Sequence, residues 1–196
     1  MAGNRNNFAF VLISSVLILL ALAAIIIFKT GGLRQNAPQA DNSKKINPTT
    51  MQITSPSFET NGFIPEKFTC DGQNINPELA FAGVPANTQS LALIVHDPDA
   101  PSGDFAHWTI WNMAPNTSGI GENSAPADAA QGITDFGRTG YGGPCPGSGL
   151  HHYHFTLYAL NSVLNLDASV SKLEIEEAMD GHVLEKADLV GAYERK

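Results

Sequence analysis

The sequence predicts a mainly β domain, a sandwich or a barrel, with one or two short helices near its C-terminus and one transmembrane helix in front of it. Short apolar runs recur along the chain, and stretches rich in turn-forming residues separate them, which is the pattern of an antiparallel β domain. The runs are MQITSPSF, SLALIVHD, HWTIWNM, HYHFTLYAL and ADLVGAY. A charge-free apolar segment near the N-terminus predicts the membrane helix.

The membrane helix is the apolar segment at residues 8–28. Its 21 residues carry no charge, and a helix of this length spans a hydrocarbon core of about 30 Å. A cleaved signal peptide is the alternative, because Ala21 and Ala23 resemble a cleavage site, but the Ile-Ile-Ile-Phe run directly after them makes a poor mature terminus. We therefore predict a single-pass protein with a short tail at residues 1–7 and a flexible linker at residues 29–50.

Charge separates these segments from the domain at residues 51–196. Residues 1–50 carry five Lys and Arg against one acidic residue, whereas residues 51–196 carry six against eighteen. Binding to nucleic acid needs clustered Lys and Arg, so we predict no nucleic-acid partner. The positive-inside rule taken alone places the domain in the cytoplasm, whereas an uncleaved N-terminal signal exports the domain behind it. We expect a cell-membrane protein with an extracytoplasmic domain.

One helix is predicted in the last third of the domain. Ser171 and Glu174 have the spacing of a capping box, and apolar residues follow at helical intervals. Gly181 marks the expected end of this helix.

Three histidines and a tyrosine crowd into the predicted strand at residues 151–160. Because side chains alternate between the faces of a strand, His151 and Tyr153 share one face, and His152 and His154 share the other. The latter two have the H-x-H spacing of some metal sites, but the sequence supplies no secure third ligand. We therefore predict no metal and no other cofactor.

Other polar residues stand at the ends of predicted strands. Asp97 and Asp99 follow the run LALIV directly, and His107 begins the next strand. Loops held by a rigid scaffold are where binding sites usually form. A bond from His107 or His151 to Asp97 would orient the imidazole and favour its protonated form, so that the histidines would donate to an anion. Asp99 suits a turn and a pocket equally well.

Five motifs follow one another along the domain: FTCDGQNINPEL (68–79), DPDAP (97–101), HW…WN (107–112), YGGPCPGSGLHHYHFTLYAL (141–160) and GHVLEKADLVGAYER (181–195). Together they resemble the phosphatidylethanolamine-binding protein family, also called Raf kinase inhibitor-like proteins, and its bacterial and archaeal branch in particular. The resemblance implies a β-sandwich with a small preformed pocket for phosphate or carboxylate anions, phospholipid headgroups included. It assigns to the pocket Asp97, His107, His151 and Tyr153, with Gly143 and Pro144 in the adjoining loop.

Two positions depart from the family pattern. Gly147 stands where proline is common and His152 where arginine is common, so we expect a more flexible loop and a less basic rim. The resemblance implies a non-catalytic anion-binding protein. It leaves open an inhibitor or regulator of a protease or kinase that uses the pocket rim, as some relatives do. A hydrolase built on Ser148 is less favoured, because the sequence lacks the nucleophile-elbow pattern.

Cys70 and Cys145 are the only cysteines, and each lies in a motif loop. In an exported domain they are free to pair, whereas in the cytoplasm they would remain thiols, with Cys145 a candidate reactive group. We hypothesise a disulfide between them.

Overall fold

The computed structural model describes residues 50–196. The predicted tail, the membrane helix and nearly all of the linker therefore lie outside the described residues. Within residues 50–196, no helix is long and apolar enough to cross a membrane.

Short and long strands form two sheets in this part of the chain. The strands are β1 (Gln52–Thr54), β2 (Gly62–Phe63), β3 (Leu79–Ala82), β4 (Ser90–Asp97), β5 (Phe105–Met113), β6 (Gly119–Ile120), β7 (Ala130–Gln131), β8 (Leu150–Leu160) and β9 (Val183–Glu194). One sheet has the order β1-β3-β6, and the other has the order β2-β9-β8-β4-β5-β7. The pair β2 and β9 is parallel, and the remaining pairs are antiparallel. The prediction of a mainly β domain is confirmed.

The central strand β4 is apolar on both faces because both faces are covered. Leu91, Leu93 and Val95 belong to a core cluster that also contains residues of the three-stranded sheet. Ala92 and Ile94 point the other way, into a second cluster. Such two-sided burial explains why β4 appears in the sequence as a nearly continuous apolar run rather than an alternating one.

One α-helix, α1 (Lys172–Met179), covers the second face of the large sheet. The predicted capping box is confirmed: the Ser171 side chain accepts from the Glu174 backbone N–H, and the Glu174 carboxylate accepts from the Ser171 backbone N–H. The helix ends before Gly181, whose φ of +75° suits glycine. A single 3₁₀ turn, Glu66–Phe68, is the other helical element of the described residues.

The strand order brings three strand ends to one edge of the large sheet. β4 runs antiparallel to both of its neighbours, so its C-terminal end lies beside the beginnings of β5 and β8. Asp97 pairs with Phe105, and His96 pairs with His154. Polar residues at positions 97, 107 and 151 are distant along the chain, yet the sheet places them together.

Candidate functional site

A pocket of about 180 Å³ lies at this edge of the large sheet. Its lining residues are Asp97, Ala100, Pro101, Ser102, Phe105, His107, Phe136, Cys145, Pro146, Gly147, His151 and Tyr153. The four inner residues predicted from the sequence thus come from β4, β5 and β8 to face one space. Among residues 50–196, no Lys or Arg lines this pocket.

A larger open cleft, about 880 Å³, lies near the C-terminus of the described residues. Three of the polar residues that line it are bound to one another. Arg195 forms an ion pair with Asp71, and the Tyr193 hydroxyl also donates to Asp71. We therefore place the candidate site at the smaller pocket, where polar groups are buried and face the pocket space.

Asp97 and His151 form a buried pair in the pocket wall. The His151 Nδ1–H donates to Asp97 Oδ2 at 2.7 Å, and the two residues are 3% (Asp97) and 7% (His151) exposed. The other carboxylate oxygen of Asp97 accepts from the Asp99 backbone N–H at 2.9 Å. Because both of its oxygens are bound, the Asp97 carboxylate is fixed in orientation and holds the His151 ring in place. Nε2 is then the one polar atom of the His151 ring that is left for another partner. From the sequence, either His107 or His151 could be the partner of Asp97, and in the structure the partner is His151.

His107 has a different partner, the Gly142 carbonyl, with Nδ1 at 2.7 Å from the oxygen. A carbonyl oxygen only accepts hydrogen bonds, so Nδ1 carries the proton. The ring is 3% exposed, and burial lowers the pKa of His107 more than the Gly142 carbonyl and the Asp97 charge raise it. This corrects the expectation of a protonated His107 that donates to an anion. At neutral pH the ring is uncharged, and its Nε2 is an acceptor.

The Tyr153 hydroxyl is the buried polar group without a partner in this pocket. The Cys145 backbone and the Asp97 carboxylate lie near it, but neither forms a hydrogen bond of normal geometry with it. Burial, followed by the Asp97 charge, raises the pKa of Tyr153 well above its ordinary value, so the hydroxyl keeps its proton. Buried polar groups are nearly always hydrogen-bonded, which marks this hydroxyl as a candidate ligand contact.

An aromatic wall surrounds the His107 ring. Phe105, Phe136 and Tyr153 contact it edge-on, with centroids 5.3, 5.2 and 5.1 Å away. Phe136 also reaches the rim, where it is 41% exposed, and the guanidinium of Arg138 lies 5.8 Å from the centroid of its ring. The wall shields most of the His107 ring from water and accounts for its desolvation.

The loop after Tyr141 is fixed to the 3₁₀ turn and the residues beyond it. The Gly143 N–H donates to Asn74 Oδ1 at 2.7 Å, and the Pro144 carbonyl accepts from the Cys70 N–H at 3.1 Å. A disulfide joins Cys70 to Cys145, with Cα atoms 5.4 Å apart. Gly143 and Pro144 are buried and do not line the pocket, whereas the three residues after them do.

Asp99 lies at the rim rather than in the pocket. Its Oδ2 accepts from the backbone N–H of His152 at 2.9 Å and from the His152 ring at 2.8 Å. These bonds lower the pKa of Asp99. The residue therefore organises the turn after β4 and ties it to β8.

The H-x-H pair does not converge on one point. His152 binds Asp99, whereas His154 binds Asp188 at 2.7 Å and lies against the His96 ring, 5.3 Å between centroids. Among residues 50–196, no group of three or more His, Cys, Asp or Glu is arranged to hold a metal.

Ser148 does not complete a Ser-His-Asp arrangement. The residue is exposed and lies outside the pocket lining, although the bond from His151 Nδ1 to Asp97 is the one that a triad would need. A triad needs the serine hydroxyl within hydrogen-bond reach of the imidazole, and no bond joins Ser148 to His151 in the part of the chain that the structure describes.

Residues 54–194 match the family model of the phosphatidylethanolamine-binding protein. The chain belongs to this family. A UPF0098 protein of Pyrococcus horikoshii is 52% identical over 71% of this chain and 74% of its own length, and one of Methanothermobacter thermautotrophicus is 48% identical over 74% of this chain and 99% of its own.

Two solved structures of phosphatidylethanolamine-binding protein relatives share the fold. A homologue from Chlamydia trachomatis is 41% identical, with a TM-score of 0.73 over 76% of this chain and all of the other. The Escherichia coli protein YbcL, described as a member of the mammalian family, is 31% identical, with a TM-score of 0.71 over 74% of this chain and 99% of the other. The family resemblance found in the sequence motifs is confirmed.

Sequence reasoning missed the aromatic and loop residues of this phosphatidylethanolamine-binding protein pocket. Phe105 and Phe136 form its wall, and Cys145 contributes to its lining. A signal for Phe136 was available, because it is the one aromatic residue in the Gly- and Asp-rich stretch just before Tyr141. Binding residues are disproportionately found on loops held by a rigid scaffold.

Proposed function

We propose that this protein is a membrane-tethered, non-catalytic binding protein whose pocket takes a small ligand bearing a phosphate or carboxylate group, a phospholipid headgroup included. The observation that carries the proposal is the buried, unpartnered Tyr153 hydroxyl beside the Asp97–His151 pair in a preformed pocket. The ligand class agrees with the name of the family, which refers to phosphatidylethanolamine.

The size of the pocket supports a headgroup-sized ligand. At about 180 Å³, it is smaller than the roughly 300–1,000 Å³ typical of sites for drug-sized molecules. A phosphoethanolamine unit is small enough to enter, whereas acyl chains would remain outside. The ligand is therefore expected to bind through its polar end.

The charge and hydrogen-bonding groups of the wall support an oxygen-rich ligand. Tyr153 offers an O–H donor that forms no hydrogen bond of normal geometry within residues 50–196, although the Asp97 carboxylate lies near it. His151 is fixed by Asp97, so its Nε2 is oriented before the ligand arrives. Preorganised groups of this kind spend little free energy on ordering when a ligand binds.

Substitution of the buried pair tests the site. We expect Asp97→Ala and His151→Ala to weaken binding of phosphoethanolamine by about tenfold or more. His151→Ala removes a hydrogen bond to the charged ligand, and Asp97→Ala removes the carboxylate that positions the His151 ring. Isothermal titration calorimetry of the full-length chain in non-ionic detergent measures this. His182→Ala serves as the matched control, since His182 is exposed and binds Asn161 outside the pocket.

Unchanged affinity in both pocket variants would remove the assignment of this pocket. The same samples test the absence of catalysis, because the ligand should be recovered unchanged by mass. Turnover that disappears in Ser148→Ala would instead favour the hydrolase.

We propose that the domain lies outside the cytoplasm. The Cys70–Cys145 disulfide supports this location, since structural disulfides persist in oxidising compartments. A reporter fused after Lys196 that is active only after export should be active. Activity of a reporter that works only in the cytoplasm would place the domain on the other side.

A second candidate function, inhibition or regulation of a protease or kinase, is favoured by the rim. Phe136 is exposed at the pocket mouth, and aromatic residues at such positions often anchor protein partners. In that case Phe136→Ser should abolish inhibition of the partner, and phosphoethanolamine should compete with the partner for the pocket.

A further inference from the structure

The hydrogen-bond pattern of His107 determines which kind of group can sit against it. Its Nδ1–H is directed at the Gly142 carbonyl, so its other ring nitrogen is the only polar atom left for a ligand. Nε2 forms no hydrogen bond within residues 50–196, and it is not among the fully buried side-chain atoms that lack a partner there. His107 lines the pocket, so a ligand in the pocket would reach the ring from that side.

The surroundings of His107 keep this nitrogen unprotonated. Phe105, Phe136 and Tyr153 enclose the ring, and burial lowers the pKa of His107. The groups that oppose this effect are the carbonyls of Gly142 and Gly143 and the carboxylates of Asp97 and Asp135, and burial outweighs them. An unprotonated Nε2 accepts a hydrogen bond and cannot give one.

The remaining pocket groups do not compensate for a fully ionised ligand. In the described part of the chain, no Lys or Arg lines the space, and the one acidic lining residue is Asp97, which is bonded to His151. Arg138 lies over the Phe136 ring, 5.8 Å from its centroid, and is not among the lining residues. A phosphate group without a proton would thus place an oxygen lone pair against the lone pair of His107 Nε2, close to a carboxylate.

We propose that the pocket binds its ligand together with a proton, as a phosphomonoester in its hydrogen-phosphate form whose P–O–H donates to Nε2 of His107, in preference to a phosphodiester. The inference rests on the proposed function and narrows its ligand class. A phosphodiester carries no P–O–H, so it leaves Nε2 unpaired. A free monoester and the terminal monoester of a lipid share this chemistry.

The proton comes from the solvent at neutral and alkaline pH. A phosphomonoester has its second pKa near about 6, so above that pH the dianion dominates and must take up one proton to enter the pocket. The affinity is therefore fully present below this pKa and falls by about tenfold for each pH unit above it. A ligand that cannot be protonated shows no such dependence.

Three aminoethyl esters, which differ in whether they can carry a P–O–H group, test the proposal on the full-length chain in non-ionic detergent. Phosphoethanolamine carries the P–O–H, 2-aminoethyl sulfate has the same size and no proton, and glycerophosphoethanolamine is a diester. Calorimetric titrations from about pH 6.5 to 8.5, in buffers of different ionisation enthalpy, give the affinity and the number of protons taken up. For phosphoethanolamine, we expect the number of protons taken up on binding to approach one as the pH rises. At the lowest pH, we expect the other two esters to bind at least about tenfold more weakly than phosphoethanolamine.

The outcomes separate the inference from the proposed function. If none of the three esters binds, the proposed function fails. If the sulfate ester binds as tightly as phosphoethanolamine and no proton is taken up, the function stands and the inference is overturned. Proton uptake with the sulfate ester or the diester would also overturn it, because a histidine would then be the group that titrates. The comparison needs no substitution, so misfolding cannot confound it.

Discussion

Replacement of Cys70 and Cys145 together by serine is expected to lower the free energy of unfolding by about 4 kcal/mol. The two residues are 75 positions apart, and a disulfide that closes a loop of this length restricts the unfolded chain strongly. Urea unfolding of the oxidised wild type and the double variant measures the difference. Phosphoethanolamine binding should weaken as well, because Cys145 lines the pocket and its loop would lose one of its attachments.

Reductant provides the internal control for this prediction. It should destabilise the wild type to about the level of the double variant and leave the double variant unchanged. A wild type whose thiols are shown to be free after reduction, and whose unfolding midpoint does not move, would show that the cross-link contributes no stability.

Gly143→Ala is expected to destabilise the domain by about 2–3 kcal/mol and to weaken ligand binding. A Cβ at this position would lie 2.3 Å from the Phe68 carbonyl oxygen, 2.8 Å from Asn74 Oδ1 and 2.9 Å from Thr69 Cα. Two of these atoms belong to the backbone of the segment that the disulfide holds, so they cannot move aside cheaply. The loop would have to shift, and with it the pocket-lining residues at its far end.

Gly147→Ala is the matched control in the same loop. A Cβ there meets nothing within 4 Å, so its effect on stability should stay within about 0.5 kcal/mol. Thermal unfolding of the two variants compares them directly. Equal unfolding temperatures would mean that the loop adapts freely and that the close approach of Gly143 to Phe68 has no structural importance.

Local patterns in the sequence were sufficient where one element determines its own structure. The run SLALIVHD corresponds to β4 residue for residue, and the capping box begins α1 as predicted. Alternation along β8 placed His151 and Tyr153 in the pocket wall and left His152 exposed. Each of these features depends on neighbours within a few positions.

Features that depend on distant residues could not be predicted from the sequence. β3, β6 and β7 have two to four residues each, which is too short for a periodic pattern to appear. The choice of His151 over His107 as the partner of Asp97 follows from the strand register. The proton on His107 follows from a carbonyl 35 positions later in the chain and from aromatic residues that the fold packs around the ring.

The assembly of the pocket from the ends of β4, β5 and β8 has a consequence for any compound that occupies it. The site does not exist in the unfolded chain, because residues of three separate strands form it. A bound ligand therefore acts as a non-covalent clamp across these three strands. Such a clamp favours the folded state increasingly as its concentration rises above Kd. Heat resistance is therefore a direct report of occupancy, and natural ligands can be sought among cell metabolites by the temperature at which this domain unfolds.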